Sequence, residues 1–123
     1  MPEASTPTVG LAVVHLFFRT APLADRAGIV AALDAAAERG DQAVVVALLG
    51  HKADLGVMAL SSDQWNLRRL QTDLVAAGLD LVDSYVSLTE SSEYAEGIPE
   101  EMKQARLYPQ LPPEGKPVFC FYP

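Results

Sequence analysis

Two kinds of hydrophobic pattern alternate along the first 90 residues of the chain. Runs of consecutive apolar residues are typical of buried strands, and four are present: Leu11–Phe18, Val44–Leu49, Leu55–Leu60 and Leu79–Leu88. Two further series repeat at helical spacing and each ends at a glycine: Leu23, Ala27, Val30, Leu33 and Ala37, then Leu67, Leu70, Leu74 and Ala77. The pattern therefore predicts the element order β-α-β-β-α-β.

The boundaries of these elements have their own signals. The polar stretch Gly50–Asp54 separates the second and third strands and predicts an antiparallel hairpin. Ser61, followed by Gln64 three residues later, predicts a capping box at the second helix. We therefore expect an α+β fold of the ferredoxin-like type over residues 11–90, with both helices on one face of an antiparallel sheet. Residues 1–10 are expected to form a disordered tail.

The last third of the chain does not continue this domain. Residues 91–117 are interpreted as a connecting segment with a short helix at Ile98–Leu107 and four prolines within Pro109–Pro117. Residues 118–123 form a further strand-like run, interpreted as the first strand of a truncated second ferredoxin-like domain. Because a free apolar strand is an aggregation hazard, we expect it to pair with residues outside Leu11–Leu88, in the same polypeptide or in another chain.

Composition excludes several classes of function. A net charge of −7 in 123 residues argues against a nucleic-acid groove, which needs clustered Lys and Arg. One cysteine and two histidines cannot close a structural zinc site, so no metal ligand is predicted in this chain. The absence of a secretory leader and of an apolar run near twenty residues predicts a cytoplasmic protein without a membrane span.

Candidate chemistry is concentrated in the connecting segment. No Ser-His-Asp set, phosphate loop or carboxylate pair has credible spacing, and lone histidines such as His15 and His51 are usually structural or solvated. Tyr94, Arg106 and Tyr122 bracket the proline-rich stretch, together with Tyr108. They are either packing residues of a surface loop or, at a junction between two domains, donors for a ligand that carries several carboxylates.

Four stretches resemble the N-terminal half of a known family. Gly50–Met58, Ser84–Glu90, Arg106–Pro109 and Phe119–Pro123 are similar to the coproheme decarboxylase branch of the chlorite dismutase family. They occur in the family's order and close to its spacing, and the similarity extends from about Leu11 to the last residue. The interval from Arg-Leu-Tyr-Pro to Phe-Tyr-Pro is its most specific part.

This resemblance implies a heme enzyme. Family members join two ferredoxin-like halves into a dimeric α+β barrel and assemble as homo-oligomers, commonly pentamers. They bind iron coproporphyrin III and use hydrogen peroxide to convert two of its propionates to vinyl groups, which yields heme b. By resemblance, Tyr122 is the catalytic tyrosine that transfers a hydrogen atom and a proton at a propionate. Arg106 binds a propionate, and Tyr94 lies near another one.

The departures from the family limit what this chain is expected to do alone. The family's Tyr-Pro-Met-x-Lys motif is present here only as Tyr122-Pro123, and the family's iron-binding histidine belongs to the second half and matches neither His15 nor His51. Between Tyr94 and Arg106 the chain is shorter than the family. We therefore expect activity only together with a second ferredoxin-like half, from the same or a separate chain. The alternatives are a non-catalytic ferredoxin-like ligand-binding or assembly module and a chlorite dismutase-like heme enzyme.

Overall fold

The computed structural model describes residues 2–90 and 96–122. Within these ranges the chain forms four strands and three helices, which we number in chain order. The strands are β1 (Ala12–Arg19), β2 (Gln42–Ala47), β3 (Leu55–Ser61) and β4 (Asp80–Leu88). The helices are α1 (Arg26–Glu38), α2 (Gln64–Ala76) and α3 (Glu100–Leu107). No helix among the described residues is both long and apolar enough to cross a membrane.

The four strands form one antiparallel sheet in the order β2-β3-β1-β4. The central strand β1 pairs with β3 on one side and with β4 on the other, and the register shifts between Phe17 and Phe18 along β4. The helices α1 and α2 pack against each other and on the same face of the sheet. This confirms the predicted ferredoxin-like α+β fold.

Alternate side chains of β1 build the core between the sheet and the helices. Ala12, Val14, Leu16 and Phe18 are buried in one cluster with side chains of both helices. The predicted apolar stripe of α2 is confirmed, because its buried residues are Leu67, Leu70 and Leu74. Alternation of this kind is what a strand produces when one face of its sheet is covered by helices.

Helix α1 differs from its predicted register. It begins at Arg26, so Leu23 lies outside it and is 91% exposed, and the buried helix residues are Ala32 and Ala36. The physical reason is composition: a helix rich in alanine has several faces of nearly equal hydrophobicity. Gly28 of α1 packs close to Ala77 at the end of α2: a Cβ added at Gly28 would lie 3.2 Å from the Cβ of Ala77. This close approach determines which face of α1 turns inward.

The predicted capping box is also wrong. The N-cap of α2 is Asp63, whose side chain accepts a hydrogen bond from the Trp65 N–H. Ser61 is instead the last residue of β3, and its buried hydroxyl donates to Asp41 Oδ1 at 2.5 Å. An aspartate is as favourable an N-cap as a serine, and the Ser61 hydroxyl is bonded to Asp41 at the end of β3, so Asp63 caps the helix.

The first ten residues contain no helix or strand from Pro2 onward, but Ser5 is attached to the start of α2. Its N–H donates to Asp63 Oδ1 at 3.0 Å, and its carbonyl oxygen accepts from the Gln64 N–H at 2.9 Å. The segment expected to be a disordered tail therefore has a fixed point on the domain.

Candidate functional site

The face of the sheet opposite α1 and α2 is apolar and aromatic. Val13, His15 and Phe17 of β1 alternate with the core residues and therefore lie on this opposite face. His15 is paired across the strands with Met58 of β3 and with Tyr85 of β4, which share its side of the sheet. We call the surface formed by these five residues the helix-free face.

The C-terminal segment, residues 118–122, lies over the helix-free face. The ring centroid of Phe121 is 4.7 Å from that of His15, 5.2 Å from that of Phe17 and 5.6 Å from that of Tyr85. Phe119 contributes a fourth contact, with its ring centroid 6.1 Å from that of His15. Side-chain stacking therefore holds this segment.

Residues 118–122 do not form the expected strand in this structure, which assigns them no regular secondary structure. The described sheet contains only β1 to β4. The segment rests on the surface of the sheet with its aromatic side chains and does not extend the hydrogen-bonded ladder. That it begins a second ferredoxin-like domain stays a prediction, as do the other expected domain boundaries.

Side chains alternate along the C-terminal segment. Phe119 and Phe121 are half-buried, whereas Val118, Cys120 and Tyr122 are exposed. Tyr122 is 88% exposed. In an extended chain, neighbouring side chains lie on opposite sides of the backbone, so anchoring Phe121 on the sheet turns Tyr122 away from it. The predicted catalytic tyrosine therefore projects from a segment that its neighbour fixes.

The imidazole ring of His15 lies beneath this segment, in contact with apolar aromatic side chains. Its Nδ1 is buried and has no hydrogen-bond partner among the described residues. Burial disfavours the charged imidazolium and lowers the pKa of His15 from its ordinary value of 6.5. The ring is therefore neutral at physiological pH and contacts Phe119 and Phe121 as an aromatic side chain.

A cavity of about 770 Å³ opens beside Phe121, between the β2–β3 loop and β4. Its lining is mostly apolar and includes Phe17, Leu48 and Val82. Lys52 and Asp83 also line it and introduce one charge of each sign. The cavity is within the usual size range of small-molecule sites.

At the other end of the sheet, Thr89 joins three elements. Its hydroxyl accepts a 2.8 Å hydrogen bond from the Leu11 N–H and donates a 2.7 Å hydrogen bond to the Leu107 carbonyl oxygen. Nearby, the hydroxyl of Tyr108 accepts from the Gly10 N–H at 3.1 Å. These bonds fix the end of α3 beside the start of β1. We call them the Thr89 clasp.

The connecting segment is then fixed a second time, on β2. The Gln42 side chain donates to the Pro109 carbonyl oxygen at 3.0 Å and accepts from the Leu111 N–H at 2.7 Å. A side-chain amide has both a donor and an acceptor, so it can pair with a backbone carbonyl and a backbone N–H as a neighbouring strand would. The segment therefore crosses the helix-free face from the Thr89 clasp, past Gln42, to Phe119 and Phe121.

Arg106 lies in the last turn of α3, immediately before the Thr89 clasp. It is exposed, and it forms no hydrogen bond or ion pair with the described residues. The two glutamates of the first turn and the arginine of the last turn match the helix dipole. A fixed backbone and a guanidinium without a partner among the described residues make Arg106 available to an anionic ligand.

The described structure does not bring Arg106 and Tyr122 together. The clasp next to Arg106 is at Leu11, whereas Phe121 next to Tyr122 contacts Phe17, which is roughly 20 Å further along β1 at the usual rise per residue. The third predicted site residue, Tyr94, lies outside the described residues. No group of three or more His, Cys, Asp or Glu is placed to hold a metal ion in the described part of the chain.

Sequence reasoning missed the residues that hold the site. Phe119 and Phe121 were interpreted as strand residues, and Thr89 and Gln42 were not singled out at all. The alternation of aromatic with polar or reactive residues in Phe119–Tyr122 was a usable signal for the first pair. No local pattern marks Thr89 or Gln42, because their partners are distant in the chain.

Comparison with known proteins gives a family match and structural matches. The family model described as chlorite dismutase matches residues 21–123. A similar solved structure is that of a protein from Thermus thermophilus, described as a novel heme-binding protein, with 24% sequence identity and a TM-score of 0.51. The match covers 76% of this chain and 49% of that one, so the chain spans about half the length of that protein. At this identity the likeness shows a shared fold.

Proposed function

Because this chain belongs to the chlorite dismutase family, we propose that it is the N-terminal half of a peroxide-dependent coproheme decarboxylase that acts in heme biosynthesis. The substrate would be iron coproporphyrin III and the product heme b, in the cytoplasm. The heme-binding description of the Thermus protein supports a heme-related role for this fold. The finer assignment rests on the resemblance of the Arg106–Tyr122 interval and on the exposure of Tyr122.

The observation that carries the proposal is the contrast between Phe121 and Tyr122. Phe121 is packed against His15, while the next residue presents its phenol to the outside. The O–H group of a phenol can give up a hydrogen atom, which phenylalanine and carboxylates cannot do. An exposed phenol on an anchored backbone is suited to reach a bound substrate.

The reaction balances with one peroxide for each propionate. Converting a propionate to a vinyl group breaks one C–H bond and the bond to the carboxylate, and it releases carbon dioxide and two electrons. Those electrons reduce hydrogen peroxide to water, with the porphyrin iron supplying the redox chemistry when the substrate is bound. In this scheme the Tyr122 phenol would first give up an electron and a proton, both of which go to the reduction of peroxide. The resulting phenoxyl radical would take the hydrogen atom from the propionate carbon, and the carbon radical would lose carbon dioxide and the second electron.

Arg106 would bind one of the propionates. Its planar guanidinium can donate two parallel hydrogen bonds to a carboxylate, and in the described structure it has no competing acid. Tyr94 would lie near another propionate. Because Arg106 and Tyr122 are each adjacent in the chain to an anchor, and the two anchors lie near opposite ends of β1, they would contact different parts of a large ligand that carries several carboxylates.

The iron ligand and the rest of the binding site would come from a second ferredoxin-like half. That half would be contributed by the same polypeptide or by a separate one, in a homo-oligomer, which in members of the family is commonly a pentamer. We refer to this chain together with that half as the complete protein.

The test is the Tyr122→Phe variant of the complete protein. It should still bind iron coproporphyrin III, because the ring is kept, and it should lose almost all peroxide-driven release of carbon dioxide. The matched control is Tyr85→Phe, which also removes one phenol hydroxyl but keeps the ring that contacts Phe121. Products are quantified after peroxide addition as heme b and the three-propionate intermediate.

Near-parental formation of heme b by Tyr122→Phe would refute the catalytic role of this tyrosine. Parental protein that binds the porphyrin and releases no carbon dioxide would favour the non-catalytic binding module. Parental protein that instead evolves dioxygen from chlorite would favour the chlorite dismutase-like enzyme.

A further inference from the structure

The ring of Phe121 is the centre of an aromatic cluster on the helix-free face. It contacts His15 and Phe17 from β1 and Tyr85 from β4, with centroid distances between 4.7 and 5.6 Å. These distances are within the roughly 4.5–7 Å range that aromatic pairs prefer, and the Tyr85 contact has the favourable edge-on geometry, at 74°. We call His15, Phe17 and Tyr85 the Phe121 seat.

The seat is the last fixed point before Tyr122. The contacts that precede it are the Phe119 ring, whose centroid is 6.1 Å from that of His15, and further back the side chain of Gln42, which binds Pro109 and Leu111. From residue 112 to residue 118, the described hydrogen bonds include one turn bond, from the Lys116 N–H to the Pro113 carbonyl oxygen, and none to the sheet. Leu111 is therefore the last residue before the aromatic contacts that a described hydrogen bond holds on the sheet.

The seat is also rigid. His15 and Phe17 belong to the central strand, which is hydrogen-bonded on both sides, and Tyr85 belongs to its neighbour β4. The neutral imidazole of His15 stacks on Phe121 at the shortest of the three distances, with its Nδ1 buried. Displacing a reacting group by about 1 Å can lower the reaction rate about a hundredfold. The residue that anchors the backbone of an exposed phenol can therefore affect the rate strongly.

We propose that Phe121 is a positioning residue: seated on His15, Phe17 and Tyr85, it fixes the backbone from which the Tyr122 phenol reaches the substrate. This inference rests on the proposed function, because it assigns a task to a neighbour of the proposed catalytic residue. Phe121 itself touches the sheet and takes no part in the chemistry.

Cys120 provides a direct probe of the seat. It is the only cysteine of the chain, it is exposed, and it lies between the two anchoring phenylalanines. A nitroxide spin label on Cys120 of the complete protein, with any cysteines of the second half replaced by serine, reports nanosecond mobility of the segment by its electron paramagnetic resonance line shape. The parental label should give a broad, slow-motion spectrum.

Three variants separate the anchor from the rest of the segment. Phe121→Ala should give a sharp, fast-motion spectrum, Phe121→Tyr should retain the slow spectrum because it keeps the ring, and Val118→Ala should leave the spectrum unchanged. Val118 is the matched control because it is in the same segment and is 78% exposed. A slow spectrum in Phe121→Ala overturns the proposal.

Kinetics of the unlabelled protein give the second readout. Phe121→Ala should lower kcat for carbon dioxide release by about tenfold or more and change KM for the porphyrin by less than about twofold, because Arg106 and the bulk of the binding site are intact. A mobile label combined with parental kcat also overturns the proposal. If the parental protein releases no carbon dioxide, the proposed function has failed, and the spin label alone then decides whether Phe121 holds the segment.

Discussion

The hydroxyl of Thr89 donates a 2.7 Å hydrogen bond to the carbonyl oxygen of Leu107, which attaches the end of α3 to the end of β4. The same hydroxyl accepts from the Leu11 N–H at 2.8 Å, so one side chain joins two strands and a helix. Arg106 directly precedes Leu107 in the chain. The Thr89 clasp therefore fixes the backbone position of the proposed propionate-binding arginine, as the Phe121 seat does for Tyr122.

Removing the hydroxyl of Thr89 should destabilise the protein. In Thr89→Val both hydrogen bonds are lost at nearly constant shape, and the free energy of unfolding should fall by about 1–3 kcal/mol because two backbone groups lose their partner. Thr89→Ser keeps the hydroxyl and should lose much less. Urea unfolding of the three proteins measures this, and equal stability of the valine and parental proteins would contradict the clasp.

Gly10 should not tolerate alanine. Its φ is +78°, and an added Cβ would lie 2.4 Å from Thr89 Oγ1. Gly10→Ala should therefore lower the free energy of unfolding by more than Gly115→Ala, where φ is +70° but no atom lies within 4 Å of the added Cβ. The control carries the backbone strain alone, about 1–3 kcal/mol for such a conformation. Equal losses in thermal or urea unfolding would show that the clasp moves aside.

Replacing Arg106 should weaken porphyrin binding. In the complete protein, Arg106→Ala should reduce the affinity for iron coproporphyrin III by about 1.5–3 kcal/mol, the usual contribution of a hydrogen bond to a charged group. Arg106→Lys should recover only part of the affinity, because an ammonium lacks the two-pronged geometry. A spectroscopic titration measures both, with Lys103→Ala on the same helix as a matched loss of charge. Retained affinity in Arg106→Ala would remove this residue from the site.

His15 should make the stability depend on pH below its ordinary pKa. In the folded protein, burial lowers the pKa of His15 below its ordinary value of 6.5. The unfolded chain therefore binds a proton at His15 more readily than the folded chain does. The contribution of His15 to stability is therefore constant above about pH 6.5 and decreases as the pH falls below that value. His15→Phe, which keeps an aromatic ring in the seat, should remove this part of the pH dependence.

The measurement for His15 is the free energy of unfolding at about pH 7.5 and about pH 5.5. Comparing His15→Phe with the parental protein cancels the contribution of the carboxylates. His51→Gln is the control, because His51 is exposed and is not one of the residues whose rings contact Phe121. A parental pH dependence that survives unchanged in His15→Phe would show that the imidazole is protonated at no cost in the folded state.

The sequence alone determined the ferredoxin-like fold because its elements are encoded by local periodicity. Each of the four strands predicted within residues 11–90 overlaps an observed one, and the stripe of Leu67, Leu70 and Leu74 was predicted correctly, since leucine marks a buried helix face without ambiguity. Helix α1 was misplaced because alanine marks no face strongly. Tyr122 and Arg106 were found by resemblance to a family, and the part of that interpretation that the comparison confirms is the family itself.

Only the tertiary structure decided where the end of the chain goes. The apolar run 118–122 was expected to form a strand. Its pattern indicates that alternate side chains are buried, but it does not indicate which surface buries them. The structure stacks Phe121 on His15, a residue from the opposite end of the sequence, and joins Leu107 to Thr89. Contacts between residues so far apart depend on the shape of the finished sheet, and local periodicity carries no information about that shape.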